Sequence, residues 1–192
     1  GIVGAGFSGT MLAYHLVKHA KAPLDIRLFD IPGKLHKGIA YSSECKLHLL
    51  NVPAGNMSAI HDEPTHFIDW VRAQDFIPDE YKQEGAFVPR MFYAEYLRHI
   101  WEQTTTHALV KNIHLEVIEA VVVRCEDHAD GYALHAVDGV IHFVNEMILA
   151  TGNAIPATPD YIDEAILKAG LYQANPWINY KNIGGNSAEK IL

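Results

Sequence analysis

Three glycines near the start of the chain have the spacing of a dinucleotide-binding turn. The pattern is Gly4-x-Gly6-x-x-Gly9, with Phe7 and Ser8 before the last glycine. In such a turn the first glycine permits a sharp bend, the second lets the backbone approach a pyrophosphate, and the third lets the helix pack close to the strand. The N–H groups at the start of the helix can then bind phosphate oxygens.

An acidic residue lies where this kind of turn needs a partner for ribose. A strand predicted over 24–30 ends at Asp30, which is 21 residues after Gly9. A carboxylate there accepts hydrogen bonds from ribose hydroxyls and suits FAD or NAD better than a 2′-phosphate. The structural alternative is a glycine-rich turn that only packs a helix on a sheet.

The order of the predicted elements indicates an α/β fold. Three helices are predicted, over 8–20, 64–74 and 91–107. Two β-branched runs follow, over 113–118 and 120–125, and two further strands are predicted over 132–137 and 140–144. Asp138-Gly139 is a strong hairpin turn, so we expect these runs to form an antiparallel meander. Residues 147–150 should return to the main sheet as a short buried strand. The long stretch 31–60 shows no sustained periodicity, which is typical of a functional segment.

Five segments, in chain order, resemble a known protein family. They are Gly4–Thr10, Lys37–Ser42, His48–Ser58, Phe87–Tyr93 and Ala150–Asn153. Together they resemble a bacterial family of FAD/NAD(P)-binding proteins, whose best understood relatives are FAD-dependent monooxygenases, including a urate hydroxylase and an aspartate N-monooxygenase. More distantly, they resemble flavin monooxygenases and the ornithine and lysine N-hydroxylases. The resemblance implies an FAD-binding, Rossmann-like three-layer fold with an inserted antiparallel β-meander.

The resemblance also implies which residues contact the nucleotide half of FAD. The pyrophosphate would lie at the glycine turn, from Gly4 to Gly9, and the adenosine ribose at Asp30. Val122 would touch the adenine, and three residues would lie along the cofactor: Lys37, Gly38 and Tyr41. Relatives often carry glycine just before the basic residue of the Lys37-Gly38 pair, whereas this chain has His36, so the geometry of that loop is expected to differ.

The flavin half of the cofactor is implied to meet two other segments. Asn51, Val52 and Pro53 would reach the isoalloxazine end, and Thr151 and Gly152 would close over the diphosphate and ribityl region. Without the resemblance, Asn51 could equally brace an irregular loop, since asparagine is a common turn residue.

Arg90 is the one further candidate for binding an anion. It follows a proline and precedes a predicted helix, so its guanidinium could pair with an anionic group of the cofactor or substrate. An ordinary surface salt bridge is the alternative. No catalytic side chain is assigned, because in flavin enzymes the cofactor carries the chemistry. No metal-ligand pattern such as His-Glu-x-x-His occurs.

The charge and hydropathy of the chain indicate which kinds of partner it does not bind. The net charge of −8, without a long Lys/Arg run, argues against a nucleic-acid footprint. No apolar stretch reaches the roughly 18 residues of a membrane-spanning helix. Cys45 and Cys125 form neither a disulfide framework nor a Cys-x-x-Cys pair. We therefore expect a cytoplasmic protein with a small-molecule substrate, no nucleic-acid partner and no membrane. These features do not define an oligomeric state.

The resemblance implies a two-cofactor flavoprotein. We interpret residues 1–187 as an amino-terminal FAD-binding domain and 188–192 as the start of a truncated NAD(P)-binding domain, so this chain alone should not turn over with NADPH. The expected function is the FAD-binding portion of an NAD(P)H-dependent flavoprotein monooxygenase that hydroxylates a small polar molecule. Two alternatives are a flavin oxidoreductase without oxygen transfer and a non-catalytic FAD- or nucleotide-binding module. A plain NAD-binding Rossmann protein is a third.

Overall fold

The computed structural model describes residues 1–154, 156–172 and 174–175. These residues contain seven strands: β1 (Ile2–Val3), β2 (Asp25–Phe29), β3 (His114–Ile118), β4 (Val122–His128), β5 (Gly131–Ala136), β6 (Ile141–Val144) and β7 (Ile148–Leu149). They also contain four α-helices: α1 (Phe7–His19), α2 (His66–Arg72), α3 (Arg90–Val110) and α4 (Glu164–Lys168). Two short 3-10 turns, Ala54–Asn56 and Asp79–Tyr81, lie between β2 and α3.

Four strands form a parallel sheet in the order β3-β2-β1-β7. In the register of this sheet, Ile2 of β1 lies between Leu28 of β2 and Ile148 of β7. Strand β1 therefore has a parallel neighbour on each side, and the glycine turn follows its carboxyl end. Ligands of open α/β sheets bind outside the carboxyl ends of the strands, so this topology places the turn at the edge where a ligand is expected.

The two faces of the parallel sheet are covered by different layers. Ile2 and Leu28 are buried in a cluster with helix residues such as Val17, whereas Val3 and Phe29 are buried in a cluster with strand residues of the antiparallel sheet. Neighbouring residues of a strand point to opposite faces. The result is a helix layer, a parallel sheet and an antiparallel sheet, which confirms the predicted three-layer fold.

The antiparallel meander contains three strands, β4, β5 and β6, and not the four runs that the sequence predicts. The first run, 113–118, forms β3 and pairs in parallel with β2. The prediction of a four-stranded meander was wrong because β-branched composition does not distinguish a parallel partner from an antiparallel one. The predicted strand 120–125 is also displaced, since Ala120 lies in a tight turn and β4 begins at Val122.

The helices and the returning strand lie close to their predicted positions. Helices α1, α2 and α3 differ from the predicted bounds by one to three residues at each end. Strand β7 pairs in parallel with β1, as predicted for the run 147–150. The prediction that this strand is buried was wrong, because Ile148 and Leu149 are exposed and β7 is an edge strand of the described parallel sheet. Aromatic residues of α2 and α3 form a second core beside the sheet, in which Phe67, Tyr93 and Tyr96 are buried with ring centroids 4.9 to 5.4 Å apart.

The chain divides into two compact units, Gly1–Gly152 and Asn153–Leu192. In the described part of the second unit, the carboxylate of Asp163 caps α4 by accepting a hydrogen bond from the Ile166 amide at 2.9 Å. The predicted domain boundary at 187/188 and the NAD(P)-binding segment 188–192 lie outside the described residues. Among the helices that are described, none combines the length and the hydropathy needed to cross a bilayer.

Candidate functional site

The glycine turn is a place of close backbone contact. Gly4 has a φ of +103°, and a Cβ atom there would lie 2.3 Å from the carbonyl oxygen of Ala150. A Cβ atom at Gly9 would lie 1.9 Å from the carbonyl oxygen of Gly4. Both distances are far below van der Waals contact, so only glycine lets β1, α1 and the end of β7 pack together here.

The start of α1 has no side chain to satisfy its N–H groups. Gly6 is the N-cap residue, it makes no side-chain capping bond, and the first turn contains no acidic residue. A helix begins with N–H donors that need acceptors and with the positive end of its dipole. Gly6 also faces Gly38, whose Cα would lie 3.3 Å from a Cβ at Gly6. The two backbones leave an uncapped helix end that suits an anionic group.

Asp30 is fixed beside this turn by two backbone donors. Its Oδ2 accepts a hydrogen bond from the Ala5 amide at 2.7 Å, and its Oδ1 accepts one from the Ile31 amide, also at 2.7 Å. An ionised carboxylate has about four acceptor positions. Asp30 therefore braces the glycine turn and still has acceptor capacity for a hydroxyl group such as that of ribose.

His36 is buried beside the glycine turn. The residues around it in the sequence do not predict that it belongs to the site. Its φ of +66° lies in the region that favours glycine. The backbone N–H donates to the Ala5 carbonyl at 2.8 Å, and Nδ1 lies 3.2 Å from Thr10 Oγ1. Burial, with a contribution from the charge of Arg98, lowers the pKa of His36 to about 4, so the imidazole is neutral at pH 7.

The loop after His36 returns to the start of α1 through aromatic contacts. The Tyr41 amide donates to the carbonyl of Lys37 at 3.1 Å, while the Lys37 side chain is exposed. The Tyr41 ring lies 6.5 Å from the Phe7 ring and 4.6 Å from the Tyr93 ring. Burial raises the pKa of Tyr41, which keeps the phenol protonated. Phe7, Tyr41 and Lys37, which the resemblance places along one ligand, are therefore neighbours.

The segment around Asn51 is irregular in its sequence but well anchored in the fold. It runs alongside residues 84–90, with the Leu50 amide donating to the Val88 carbonyl and the Ala54 amide to the Ala86 carbonyl, both at 2.9 Å. Asn51 and Val52 are exposed, and Pro53 is half-buried at the start of a 3-10 turn. The backbone is thus held, while the polar side chain stays accessible.

Arg90 connects this segment to the loop that contains Tyr41. Its Nε donates to the Leu49 carbonyl at 3.0 Å and its Nη1 to the Ala40 carbonyl at 3.3 Å. Its Nη2 donates to Asn51 Oδ1 at 2.9 Å. These three contacts brace two segments against each other, and the binding of an anion by Arg90 stays a prediction.

The remaining predicted residues lie at the same edge of the parallel sheet. The Thr151 amide nitrogen would lie 3.1 Å from a Cβ at Gly4, and Gly152 follows it with a φ of +71°. Val122 packs with the cluster that contains Val3 and Phe29. Thr10 and His36 are the site residues that the sequence did not nominate, and the glycine expected in place of His36 was the available signal.

A second polar cluster lies in the loop before Asn51. Ser43 Oγ lies 2.6 Å from His48 Nδ1, and it also accepts from the Cys45 amide, so this pair braces the loop before Asn51. Cys45 and Cys125 are free thiols. Within residues 1–154, 156–172 and 174–175, no group of three His, Cys, Asp or Glu side chains could hold a metal ion.

The fold and this site define a dinucleotide-binding domain of the Rossmann-like class. The chain belongs to the family described as FAD-NAD(P)-binding, since the model of that family matches residues 1–154. Membership of an FAD/NAD(P)-binding family, predicted from the five sequence segments, is confirmed. Comparison with curated proteins returned no significant match.

Several solved structures share this fold. A flavin-containing monooxygenase from Stenotrophomonas maltophilia is 20% identical with a TM-score of 0.55, and the match covers 83% of this chain and 40% of that one. An oxidized steroid monooxygenase bound to NADP is 14% identical with a TM-score of 0.53, covering 84% and 27%. A closed cyclohexanone monooxygenase is 13% identical with a TM-score of 0.52, also covering 84% and 27%. This chain spans less than half the length of each of them.

Proposed function

We propose that this chain is the FAD-binding portion of an NAD(P)H-dependent flavoprotein monooxygenase. The observation that carries the proposal is the uncapped N-terminus of α1, approached by the backbones of Gly6 and Gly38 and flanked by the carboxylate of Asp30. A helix end without a side-chain cap, next to a fixed acidic residue at the carboxyl edge of a parallel sheet, fits the diphosphate and ribose of a dinucleotide.

Each part of the site has a role in this proposal. The amides from Gly6 to Gly9 bind the diphosphate, and Asp30 accepts from the adenosine ribose. The loop from Lys37 to Tyr41 covers the middle of the cofactor, with the Lys37 ammonium near its negative charge. Asn51, Val52 and Pro53 contact the isoalloxazine end. Thr151 and Gly152 contact the region between the diphosphate and the ribityl chain, and Val122 contacts the adenine.

The proposed overall reaction is a hydroxylation. It consumes NAD(P)H, one proton, O₂ and a substrate C–H or N–H bond, and it yields NAD(P)⁺, water and the hydroxylated product. FAD, when bound, supplies hydride acceptance and the activation of O₂. The residues of this chain bind and orient the cofactor and limit the access of water to it. The NAD(P)H site is proposed to lie outside residues 1–187.

The substrate is proposed to be a small polar molecule. This proposal rests on the resemblance of the segment from Asn51 to Ser58 to that of FAD-dependent monooxygenases acting on urate and on the aspartate amino group. The site itself contributes a polar element, because the amide of Asn51 is exposed at the edge where Arg90 holds it.

The test is to identify the cofactor of the purified protein. The visible absorption spectrum is recorded before and after incubation with FAD and removal of unbound ligand, and any cofactor released by denaturation is identified by mass. We expect flavin absorption bands and released FAD. A colourless protein that takes up no added FAD would contradict the proposal, and release of NAD alone would indicate a plain nicotinamide-binding domain instead.

A further inference from the structure

The carbonyl oxygen of Ala5, inside the glycine turn, accepts two hydrogen bonds. One comes from the backbone N–H of His36 at 2.8 Å and the other from the hydroxyl of Thr10 at 3.2 Å. The same Thr10 hydroxyl oxygen lies 3.2 Å from Nδ1 of the His36 ring. These contacts form one continuous chain from the imidazole through the hydroxyl to the carbonyl.

Counting protons determines the direction of this chain. A threonine hydroxyl has a single proton, and a carbonyl oxygen can only accept. If the Thr10 hydroxyl donates to Ala5, the His36 ring must donate from Nδ1 to Thr10 Oγ1. In this arrangement the neutral His36 ring is the Nδ1–H tautomer, with Nε2 unprotonated.

The two side chains that form this series of hydrogen bonds are shielded from solvent. Thr10 is fully buried, and His36 is 7% exposed with its ring centroid 5.1 Å from that of Trp101. A glycine at position 36 would fit the φ of +66° with less strain than histidine. The imidazole therefore occupies a backbone conformation that does not favour it, and its buried ring contacts both Thr10 and Trp101.

The peptide that links Ala5 to Gly6 transmits this arrangement to the helix end. In a planar trans peptide the C=O and N–H groups point in opposite directions. Because the Ala5 carbonyl is held toward Thr10 and His36, the Gly6 N–H points the other way. Hydrogen bonds to the carbonyl also polarise the same peptide and make its N–H a stronger donor.

We propose that His36 and Thr10 are positioning residues for the diphosphate of FAD. Their hydrogen-bonded chain holds the peptide between Ala5 and Gly6 so that the Gly6 N–H is directed and polarised toward a phosphate oxygen. The inference rests on the proposed function, because the ligand it concerns is the diphosphate of the dinucleotide bound at this turn.

The test uses two matched pairs of variants. Thr10→Val removes the hydroxyl at nearly constant volume, whereas Thr10→Ser keeps it. His36→Gly removes the ring and relaxes the backbone, whereas His36→Asn keeps a donor at the δ position in a residue that tolerates positive φ. For each variant the FAD dissociation constant is measured by flavin fluorescence, and the thermal stability of the apoprotein is measured alongside it. ¹⁵N spectra of the wild-type histidines report the tautomer of His36.

We expect Thr10→Val and His36→Gly each to weaken FAD binding about tenfold, the effect of one hydrogen bond on a binding constant. Thr10→Ser and His36→Asn should remain within about threefold of the wild type. The double variant Thr10→Val/His36→Gly should bind no more weakly than the weaker single variant, since both substitutions break the same chain. ADP, which carries the same diphosphate without flavin, should show the same order of affinities.

Three outcomes would overturn the proposal. Wild-type FAD affinity in the folded Thr10→Val variant would remove the positioning role while leaving the proposed function intact. An Nε2–H tautomer of His36 in the wild-type protein would break the chain without any substitution. A wild-type protein that binds neither FAD nor ADP would overturn the proposed function and this inference together.

Discussion

The guanidinium of Arg90 donates from Nη2 to Oδ1 of Asn51 across 2.9 Å, although the two residues are 39 positions apart. A guanidinium has donors and no acceptor, so it determines which end of the asparagine amide faces it. The Nδ2 hydrogens of the exposed Asn51 side chain are consequently directed away from Arg90. This contact gives the irregular segment before the first 3-10 turn a defined polar surface.

Arg90→Met should weaken cofactor binding by disconnecting the Asn51 segment from the Ala40 carbonyl. We expect the FAD dissociation constant to rise about tenfold, since three hydrogen bonds from a charged group are removed. Arg90→Lys should be intermediate, because a lysine cannot reproduce a forked set of donors. Flavin fluorescence titration measures the effect.

Arg124→Met is the matched control for this comparison. Arg124 is exposed on β4 and pairs with Glu126, so its loss should leave the FAD affinity unchanged. Equal FAD affinity in Arg90→Met and the wild type would show that the brace has no part in binding.

Gly9→Ala should prevent α1 from packing on the glycine turn. The added Cβ would lie 1.9 Å from the Gly4 carbonyl, so the helix must shift, and we expect a loss of at least about 3 kcal/mol in the free energy of unfolding. Gly85→Ala, where nothing lies within 4 Å of the added atom, should change it by less than about 0.5 kcal/mol. Urea unfolding of both variants is the measurement. Similar unfolding midpoints for Gly9→Ala and Gly85→Ala would show that α1 does not pack closely on the Gly4 carbonyl.

Asp30→Asn should destabilise the turn with almost no change in side-chain size. Both carboxylate oxygens accept from backbone amides, and a carboxamide can offer only one oxygen, so its NH₂ group would face an N–H donor. We expect about 1–3 kcal/mol less unfolding free energy together with weaker FAD binding. The exposed Asp127→Asn serves as the control. If Asp30→Asn retained full stability, the two hydrogen bonds would be of no consequence.

The stability of the protein should fall in mild acid because of His36. Burial, aided by the charge of Arg98 and opposed by Glu102 and Asp30, lowers its pKa from 6.5 to about 4. A group with a lowered native pKa stabilises the fold fully above pH 6.5, and this contribution is lost as the pH falls through 4. From pH 7 to pH 5 the loss should be about 2 kcal/mol.

Urea unfolding at pH 7 and pH 5 measures that loss. His36→Asn should lack this part of the pH dependence, whereas His128→Asn, a substitution of an exposed histidine, should retain it. An identical pH dependence in His36→Asn and the wild type would mean that protonation of His36 does not cause the loss of stability in acid.

The sequence predicted the features that depend on local patterns. The glycine spacing, Asp30 at the end of β2 and the helix bounds follow from residues within one strand–turn–helix unit, and the structure agrees with them. Errors arose where a strand's partner is distant in the chain. Strand β3 pairs with β2 across more than 80 residues, and nothing within the run 113–118 distinguishes that pairing from a place in the meander.

The polar contacts that organise the site were beyond prediction for the same reason. Thr10 and His36 are separated by 26 positions, and no local sequence pattern pairs them. Only the fold brings both residues to the carbonyl oxygen of Ala5. The family resemblance marks His36 as a departure from an expected glycine without nominating it as a site residue, and its φ of +66° is a backbone conformation that favours glycine.

Substitution of Gly6 by alanine tests whether the glycine turn binds the diphosphate of FAD. Gly6 has an ordinary φ of −71°, and the added Cβ would meet only Gly38, at 3.3 Å, so the fold should survive. The methyl group would nevertheless stand where the diphosphate approaches the backbone.

The measurement is the FAD dissociation constant of the wild type and of Gly6→Ala by fluorescence titration, with Gly85→Ala as the control. We expect saturable binding by the wild type and by Gly85→Ala. A folded Gly6→Ala variant should bind at least about tenfold more weakly, the equivalent of about 1.4 kcal/mol. Equal FAD affinity in all three proteins, or no binding by the wild type, would contradict this expectation.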